Sequence, residues 1–208
     1  AEIIKKIAIE RNSSVKWVNP LSNQWELGLN GQFQKENAAV AKGVLESLAT
    51  IGWDISQRTI KDGFSKTKWP GRLQYCKWQG LPLLIDGAHN PCAAKRLALE
   101  RKRWPGQENG MFWIIGVQKK KEAPDIFKNL VMPNDFAWVV PIPNHKSWNV
   151  SEIFHYCPQM SKQIFAASDV NQALLEIKRI NQWPSPSPVI TGSLFLIGHL
   201  LKENIIII

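Results

Sequence analysis

The sequence has little cysteine and no long apolar run, and these absences exclude two classes of protein. Its three cysteines are too few and too scattered for a disulfide framework or a zinc site. No stretch of 18 apolar residues occurs in the 208, so no membrane-spanning helix is predicted. Residues 1–14 mix acids and lysines with apolar residues, which is typical of an amphipathic helix rather than a signal peptide. We therefore expect a cytoplasmic protein with reduced thiols and no membrane partner.

Common signatures of nucleotide and hydrolytic sites are absent as well. The chain has no G-x-x-x-x-G-K-[ST] phosphate loop, no G-x-G-x-x-G, no H-E-x-x-H and no G-x-S-x-G motif. It therefore lacks a phosphate cradle of its own, and no metal-binding residue is assigned.

Positive charge is in excess, with a net charge of +9, which is compatible with anionic ligands. The basic residues cluster at Lys95-Arg96, Arg101–Arg103 and Lys119–Lys121, which we interpret as solvated helix ends and loops. Several of the ten tryptophans lie in apolar runs, which indicates core positions rather than base-stacking surfaces. No nucleic-acid partner is expected.

The first 70 residues predict helices but few strands. Apolar residues near positions 3–7 recur at helical spacing, and residues 34–53 form the strongest helix pattern of this half. Residues 15–18 and 25–31 predict short strands. Because so few strands cannot close a sheet, we expect residues 1–70 to be the tail of a larger domain.

From Trp69 onward, strands and helices alternate. Trp69-Pro70-Gly71 predicts a hinge between domains. The apolar run at residues 81–86 shows little polar alternation, which is typical of a strand covered on both faces. This order predicts an α/β fold for residues 71–208, with a Rossmann-like, doubly wound and mostly parallel sheet.

One strand-to-helix turn carries a concentration of polar residues. Asp86-Gly87-Ala88-His89-Asn90 joins a predicted strand to a helix that begins at Pro91. In open α/β sheets, ligands bind at the carboxyl ends of strands. Asp86 could accept a hydrogen bond from a ribose hydroxyl or bind a cation, and an anion could bind beside His89 at the start of the Pro91 helix. A turn in which Asp86 and Asn90 only cap the helix explains the same residues equally well.

Three further strand ends carry polar residues. Gly192 and Ser193 follow the last predicted strand, where Ser193 is most simply an N-cap. His145–Ser147 follow another strand, and Lys119–Lys121 follow a fourth. Four polar strand ends in one sheet favour a binding site along that edge.

Residues 83–97, LLIDGAHNPCAAKRL, resemble the signature of the folylpolyglutamate synthase and dihydrofolate synthase family, within the wider group of Mur ligases. The segment GVQKKKEAP departs from the family, whose members tend to carry a Lys-Asp pair there, so no role is assigned to Lys119–Glu122. Four other segments are similar to family motifs in the same order: residues 28–48, 69–74, 142–148 and 191–201.

The resemblance implies an ATP-dependent ligase. In this family, ATP phosphorylates a pterin or folate carboxylate, and the amine of L-glutamate attacks the resulting acyl phosphate. The resemblance assigns Arg72 to the ATP phosphates and Asp86 to the ribose. It assigns His89 and Ser193 to glutamate, with His89 as the catalytic residue. Such chemistry requires positioning and charge neutralisation, which cations and helix N-termini can supply.

The resemblance also implies a larger protein. The family's phosphate loop, Mg²⁺ ligands and modified lysine would lie upstream of residue 1. Residues 1–70 would then end a central ATP-binding domain, and residues 71–208 would form a Mur ligase C-terminal domain. We expect a monomer, and we expect these 208 residues alone to be inactive.

Two alternatives stay open. A Mur-type ligase would add an amino acid to a peptidoglycan precursor, although D-G-A-H-N-P rather than an Asp-Ser or Asp-Tyr turn disfavours it. A non-catalytic, Rossmann-like binding module is the other. The sequence also leaves open dihydrofolate synthase, folylpolyglutamate synthase or both, because the pterin site would lie mostly upstream.

Overall fold

The computed structural model describes residues 1–180 and 182–208, which form two compact units. The amino-terminal unit spans Ala1–Lys68 and the carboxyl-terminal unit spans Trp69–Ile208. None of the helices in the described part of the chain is long and apolar enough to cross a membrane.

The amino-terminal unit contains three helices: α1 (Glu2–Glu10), α2 (Gln34–Ala49) and α3 (Gln57–Lys66). The two strands predicted at residues 15–18 and 25–31 are wrong, since both segments are irregular. Within the second segment, the Gly28 N–H donates to the carbonyl of Phe64 in α3 at 2.8 Å. Trp25 packs against Phe64 of α3, whereas Val15 and Trp17 are exposed. The unit offers these segments no strand partner among its described residues.

The carboxyl-terminal unit is built on one six-stranded sheet, and it confirms the predicted α/β fold. The strand order is β1-β2-β6-β3-β4-β5, in which β1 is antiparallel to β2 and the other pairs are parallel. The strands are β1 (Gln74–Trp78), β2 (Leu81–Ile85), β3 (Phe112–Ile115), β4 (Phe136–Val139), β5 (Ile164–Ala166) and β6 (Val189–Thr191). The helices are α4 (Pro91–Arg101), α5 (Ala123–Leu130), α6 (Val150–Tyr156), α7 (Val170–Arg179) and α8 (Leu194–Lys202).

Apolar side chains of the sheet and helices form the core of this unit. Ile85, Ile114 and Ile190 are neighbours on β2, β3 and β6, and they pack with residues of α7 and α8. Trp113 and Trp138 are almost fully buried, which confirms the interpretation of the tryptophan-containing runs as core.

One basic residue is not where the charge pattern predicts it. Arg101, interpreted above as part of a solvated helix end, is only 4% exposed and forms an ion pair with fully buried Asp135. The prediction is wrong for Arg101 because its guanidinium points inward from the last turn of α4 and donates to Asp135, which precedes β4, and to the carbonyl of Leu130 at the end of α5.

Candidate functional site

The site lies at the carboxyl ends of β2, β6 and β3. Because β6 is between β2 and β3 in the sheet, the loops that follow these three strands are neighbours. They contain the turn at residues 86–90, the pair Gly192-Ser193 and the segment 118–121.

Asp86 is buried, and backbone amides hold its carboxylate in place. Its Oδ2 accepts a hydrogen bond from the Leu73 N–H and its Oδ1 accepts one from the Ala88 N–H, each at 2.9 Å. Burial raises the pKa of Asp86, and these two hydrogen bonds and the positive charge of Arg72 oppose the rise. Asp86 therefore connects Leu73, near the start of the carboxyl-terminal unit, to the turn at residues 86–90. It does not cap α4.

Gly87 allows a close contact between the turn and α8. A Cβ atom at this position would lie 2.2 Å from Cδ2 of Leu194, which is far inside van der Waals contact. The Gly87 N–H donates to the carbonyl of Gly71 at 2.7 Å. A side chain here would require either the Leu194 side chain or the turn to move.

His89 and Asn90 complete the turn. Nδ1 of His89 lies 2.8 Å from the carbonyl oxygen of Gly87, and since a carbonyl only accepts, Nδ1 carries the proton. In the neutral ring, Nε2 is then a free acceptor. Asn90 is the N-cap of α4, where its Oδ1 accepts from the Ala93 N–H at 2.8 Å, and Pro91 occupies the first turn. The capping interpretation therefore holds for Asn90.

Ser193 is the N-cap of α8. Its Oγ accepts hydrogen bonds from the N–H groups of Phe195 at 3.1 Å and Leu196 at 3.4 Å. Gly192 before it has φ of +98°, and a Cβ there would lie 2.5 Å from the carbonyl oxygen of Gly116. This glycine lets β6 turn sharply into α8 next to the end of β3.

The three loops enclose a cavity of about 170 Å³, which we call the strand-end pocket. The structure brings His89 and Ser193 together in its wall, while Arg72 and Asp86 are outside its lining. The sequence placed Lys120 and Lys121 at a polar strand end without assigning them a role, and it missed Gln118, although that residue belongs to the same loop after β3. The lining residues are His89, Gln118, Lys120, Lys121, Gly192, Ser193, Leu194 and Phe195.

The loop after β4 contributes to the rim rather than to this lining. The His145 ring lies 4.4 Å from the Phe195 ring, and its Nδ1 is 3.3 Å from Nε2 of Gln118. Ser147 shapes its own loop, because its Oγ accepts from the Ile142 N–H at 2.9 Å. His145 and Ser147 line a separate cavity of about 270 Å³.

A metal site does not fit the residues seen here. Within residues 1–180 and 182–208, no three His, Cys, Asp or Glu side chains are grouped as metal ligands. We therefore derive no step through a metal ion bound by this chain.

Comparison with known proteins decides the family. Residues 71–203, more than half of the chain, match the family model of the dihydrofolate synthetase C-terminal domain. The chain belongs to this family. The alternative of a peptidoglycan ligase is not favoured, because the matching model is that of dihydrofolate synthetase.

This family member is similar to longer proteins. It is 28% identical to dihydrofolate synthetase of Saccharomyces cerevisiae over 203 residues, which cover 87% of the chain and 47% of that protein. Folylpolyglutamate synthase of Mycobacterium tuberculosis complexed with ADP has a TM-score of 0.76 at 18% identity, over 97% of the chain and 52% of that structure. Escherichia coli FolC in complex with DHPP and ADP has a TM-score of 0.73 at 20% identity, over 98% of the chain and 50% of that structure. The chain spans about half the length of these relatives.

Proposed function

We propose that residues 1–208 are the carboxyl-terminal half of an ATP-dependent ligase that joins L-glutamate to a pterin or folate carboxylate through an acyl phosphate. The strand-end pocket carries this proposal, because His89 and Ser193, the residues that the family resemblance assigns to glutamate, share one cavity with two lysines. The names of the similar dihydrofolate and folylpolyglutamate synthases support the reaction, and ADP in two solved relatives supports ATP as the co-substrate. A divalent ion such as Mg²⁺ accompanies ATP, with no ligand assigned in this chain.

In this reaction, His89 accepts a proton from the incoming amine. An ammonium group must lose a proton before its nitrogen can attack an acyl phosphate. The carbonyl of Gly87 fixes the proton on Nδ1 of His89, so Nε2 can accept the proton of the amine. Ser193 lies in the same pocket and can orient the amino acid through its hydroxyl.

Arg72 and Asp86 bind the nucleotide. Arg72 is partly exposed on the segment that leads into β1, and its guanidinium would bind ATP phosphates. The carboxylate oxygens of Asp86 each accept one backbone hydrogen bond, and a carboxylate oxygen has a second lone pair that a ribose hydroxyl could use.

The 208 residues alone should show no ligase activity, because they contain no phosphate loop. The measurement is ADP release by the purified chain with ATP, L-glutamate and either dihydropteroate or folate. The intact protein, assayed in parallel, should release ADP only when glutamate and one of these acceptors are both present. Turnover by the purified 208 residues would contradict the half-enzyme interpretation.

In the intact ligase, His89→Ala and Ser193→Ala should each raise the glutamate KM or lower kcat while changing the ATP KM little. The loss of one hydrogen bond to a charged group costs about 1.5–3 kcal/mol, roughly a factor of ten to a hundred. Steady-state kinetics with glutamate and ATP varied separately would measure both effects.

Ser193→Ala also removes a helix cap, so it requires a matched control. Ser56 caps α3 in the same way, by accepting from the Thr59 N–H at 3.1 Å, and it does not line the strand-end pocket. Ser56→Ala should cost a similar stability, about 1 kcal/mol, without changing the glutamate KM. If both serine variants kept the glutamate kinetics of the wild type, Ser193 would act only as the N-cap of α8.

A further inference from the structure

The backbone on both sides of Arg72 has an uncommon conformation. Gly71 before it has φ of +76°, and Leu73 after it has φ of +44°. Glycine adopts this left-handed region freely, whereas leucine adopts it only where the surrounding structure imposes it. Leu73 is only 4% exposed, so contacts inside the unit determine its conformation. The backbone strain at Leu73 indicates that the fold fixes the direction in which Arg72 leaves the chain.

Three hydrogen bonds hold the two flanking residues. The Gly71 N–H donates to Oε1 of Gln74 at 3.1 Å, and the Gly71 carbonyl accepts from the Gly87 N–H at 2.7 Å. The Leu73 N–H donates to Oδ2 of Asp86 at 2.9 Å. Two of the three partners belong to the turn that follows β2, and Gln74 is the first residue of β1. The segment that carries Arg72 is therefore fixed to that turn.

Helix α8 packs against the same segment. A Cβ atom on Gly71 would lie 3.2 Å from Cγ2 of Ile197 and 3.6 Å from Cδ2 of Leu194. The same Cδ2 atom would lie 2.2 Å from a Cβ atom on Gly87. The Leu194 side chain therefore lies against both glycines. The segment before β1, the turn after β2 and the start of α8 thus meet at one side chain.

Gln74 is the partner of this segment whose role can be tested separately. Asp86 is assigned to the nucleotide, and Gly87 contributes only its backbone, whereas Gln74 holds Gly71 through a side-chain oxygen. Gln74 is also outside the lining of the strand-end pocket. Replacing it therefore removes one contact of the segment and leaves the residues assigned to ligands in place.

We propose that Gln74 is a positioning residue for the nucleotide, because its side chain fixes Gly71 and thereby directs the Arg72 guanidinium toward the phosphates of ATP. This inference rests on the proposed function, in which Arg72 binds those phosphates. Arg72 forms no ion pair with any residue that the structure describes, so the backbone rather than a salt bridge directs its side chain. A cation held in place before the ligand arrives loses less conformational freedom on binding.

The deciding variant is Gln74→Met in the intact protein, since methionine is also unbranched and lacks the amide oxygen. We expect kcat/KM for ATP to fall about twofold to tenfold, as for the loss of one neutral hydrogen bond, with the glutamate KM nearly unchanged. Gln74→Glu keeps an oxygen acceptor and should restore most of the ATP rate. In a protein that already carries Arg72→Ala, the added Gln74→Met should cause no further loss, because the group that it positions is gone.

The matched control is Gln172→Met. Oε1 of Gln172 accepts from the Ser168 N–H, so this change also removes a glutamine acceptor from a backbone amide, in the first turn of α7. The control should lower the melting temperature about as much as Gln74→Met does, and it should keep the ATP kinetics of the wild type. If Gln74→Met failed to fold, Gln74→Ala would provide the same comparison without a bulky side chain.

The inference would be overturned if the Gln74 variant had the ATP kinetics of the control. An equal loss of kcat/KM in the presence and absence of Arg72 would overturn it too, because Gln74 would then act independently of the guanidinium. Failure of the proposed function gives a different result. In that case Arg72→Ala alone would keep wild-type ATP kinetics, or the intact wild-type protein would show no glutamate-dependent ADP release.

Discussion

Replacing Asp135 with alanine should lower the free energy of unfolding by about 3–5 kcal/mol, because it leaves a buried guanidinium without its counter-ion. Asp135 is fully buried and accepts hydrogen bonds from both terminal nitrogens of Arg101. It also accepts from the N–H groups of Met111 and Met132, each at 2.8 Å, and from Nε1 of Trp113 at 3.0 Å. This carboxylate therefore joins the end of α4 to the starts of β3 and β4.

Chemical denaturation monitored by tryptophan fluorescence would measure the loss. The control is Asp125→Ala, since Asp125 is exposed on α5 and lies 3.9 Å from Lys128, a pair expected to contribute at most about 1 kcal/mol. The double variant Arg101→Met/Asp135→Ala should lose less than the sum of the single changes, because the two side chains are in direct contact. A loss below about 1 kcal/mol for Asp135→Ala would show that the network does not stabilise the sheet.

The network of Arg101 and Asp135 could not be predicted from the sequence. Arg101 stands in a run of three basic residues, and its partner is 34 positions away, so nothing local distinguishes it from its solvated neighbours. Only the fold, which brings buried Asp135 to the end of α4, makes Arg101 a core residue. The strands predicted at residues 15–18 and 25–31 failed for a similar reason, because a local strand pattern requires a partner strand.

The alternation of strands and helices was predictable after Trp69, because its signals are local. Apolar runs of strand length, Asn90 as the cap of α4 and Pro91 in its first turn are all visible in the sequence. Strand order is not local. The placement of β6 between β2 and β3 brings His89 and Ser193 into one pocket, although 104 positions separate them in the sequence.

The lysines after β3 show what the sequence leaves undetermined in the site. Three identical residues in a row carry no information about which of them faces a ligand. Lys119 pairs with Glu152 and Trp148, which come from the loop and helix after β4. The fold, and not the local sequence, therefore decides which of the three lysines line the strand-end pocket.

If the proposed function is correct, Arg72→Ala and Asp86→Asn should each lower kcat/KM for ATP in the intact protein by about tenfold to a thousandfold, as expected from a loss of about 1.4–4 kcal/mol of transition-state stabilisation. Replacing Arg72 should disturb the fold less than replacing Asp86, because its guanidinium forms no ion pair with any described residue. Asparagine is preferable to alanine at Asp86, because its one amide oxygen can still accept from one of the buried N–H groups of Leu73 and Ala88, whereas alanine would leave both without an acceptor.

The two positions are coupled, so their effects should not add. Arg72 is followed by Leu73, whose N–H binds Asp86, and the positive charge of Arg72 also opposes the burial effect on the Asp86 pKa. The double variant should therefore lose less than the product of the two single losses.

Steady-state kinetics with ATP varied, together with a melting curve for each variant, would separate binding from stability. Arg103→Ala, which removes an exposed arginine after α4, should keep ordinary ATP kinetics. If the Arg72 and Asp86 variants were folded and behaved like Arg103→Ala, the turn at residues 86–90 would have only a structural role.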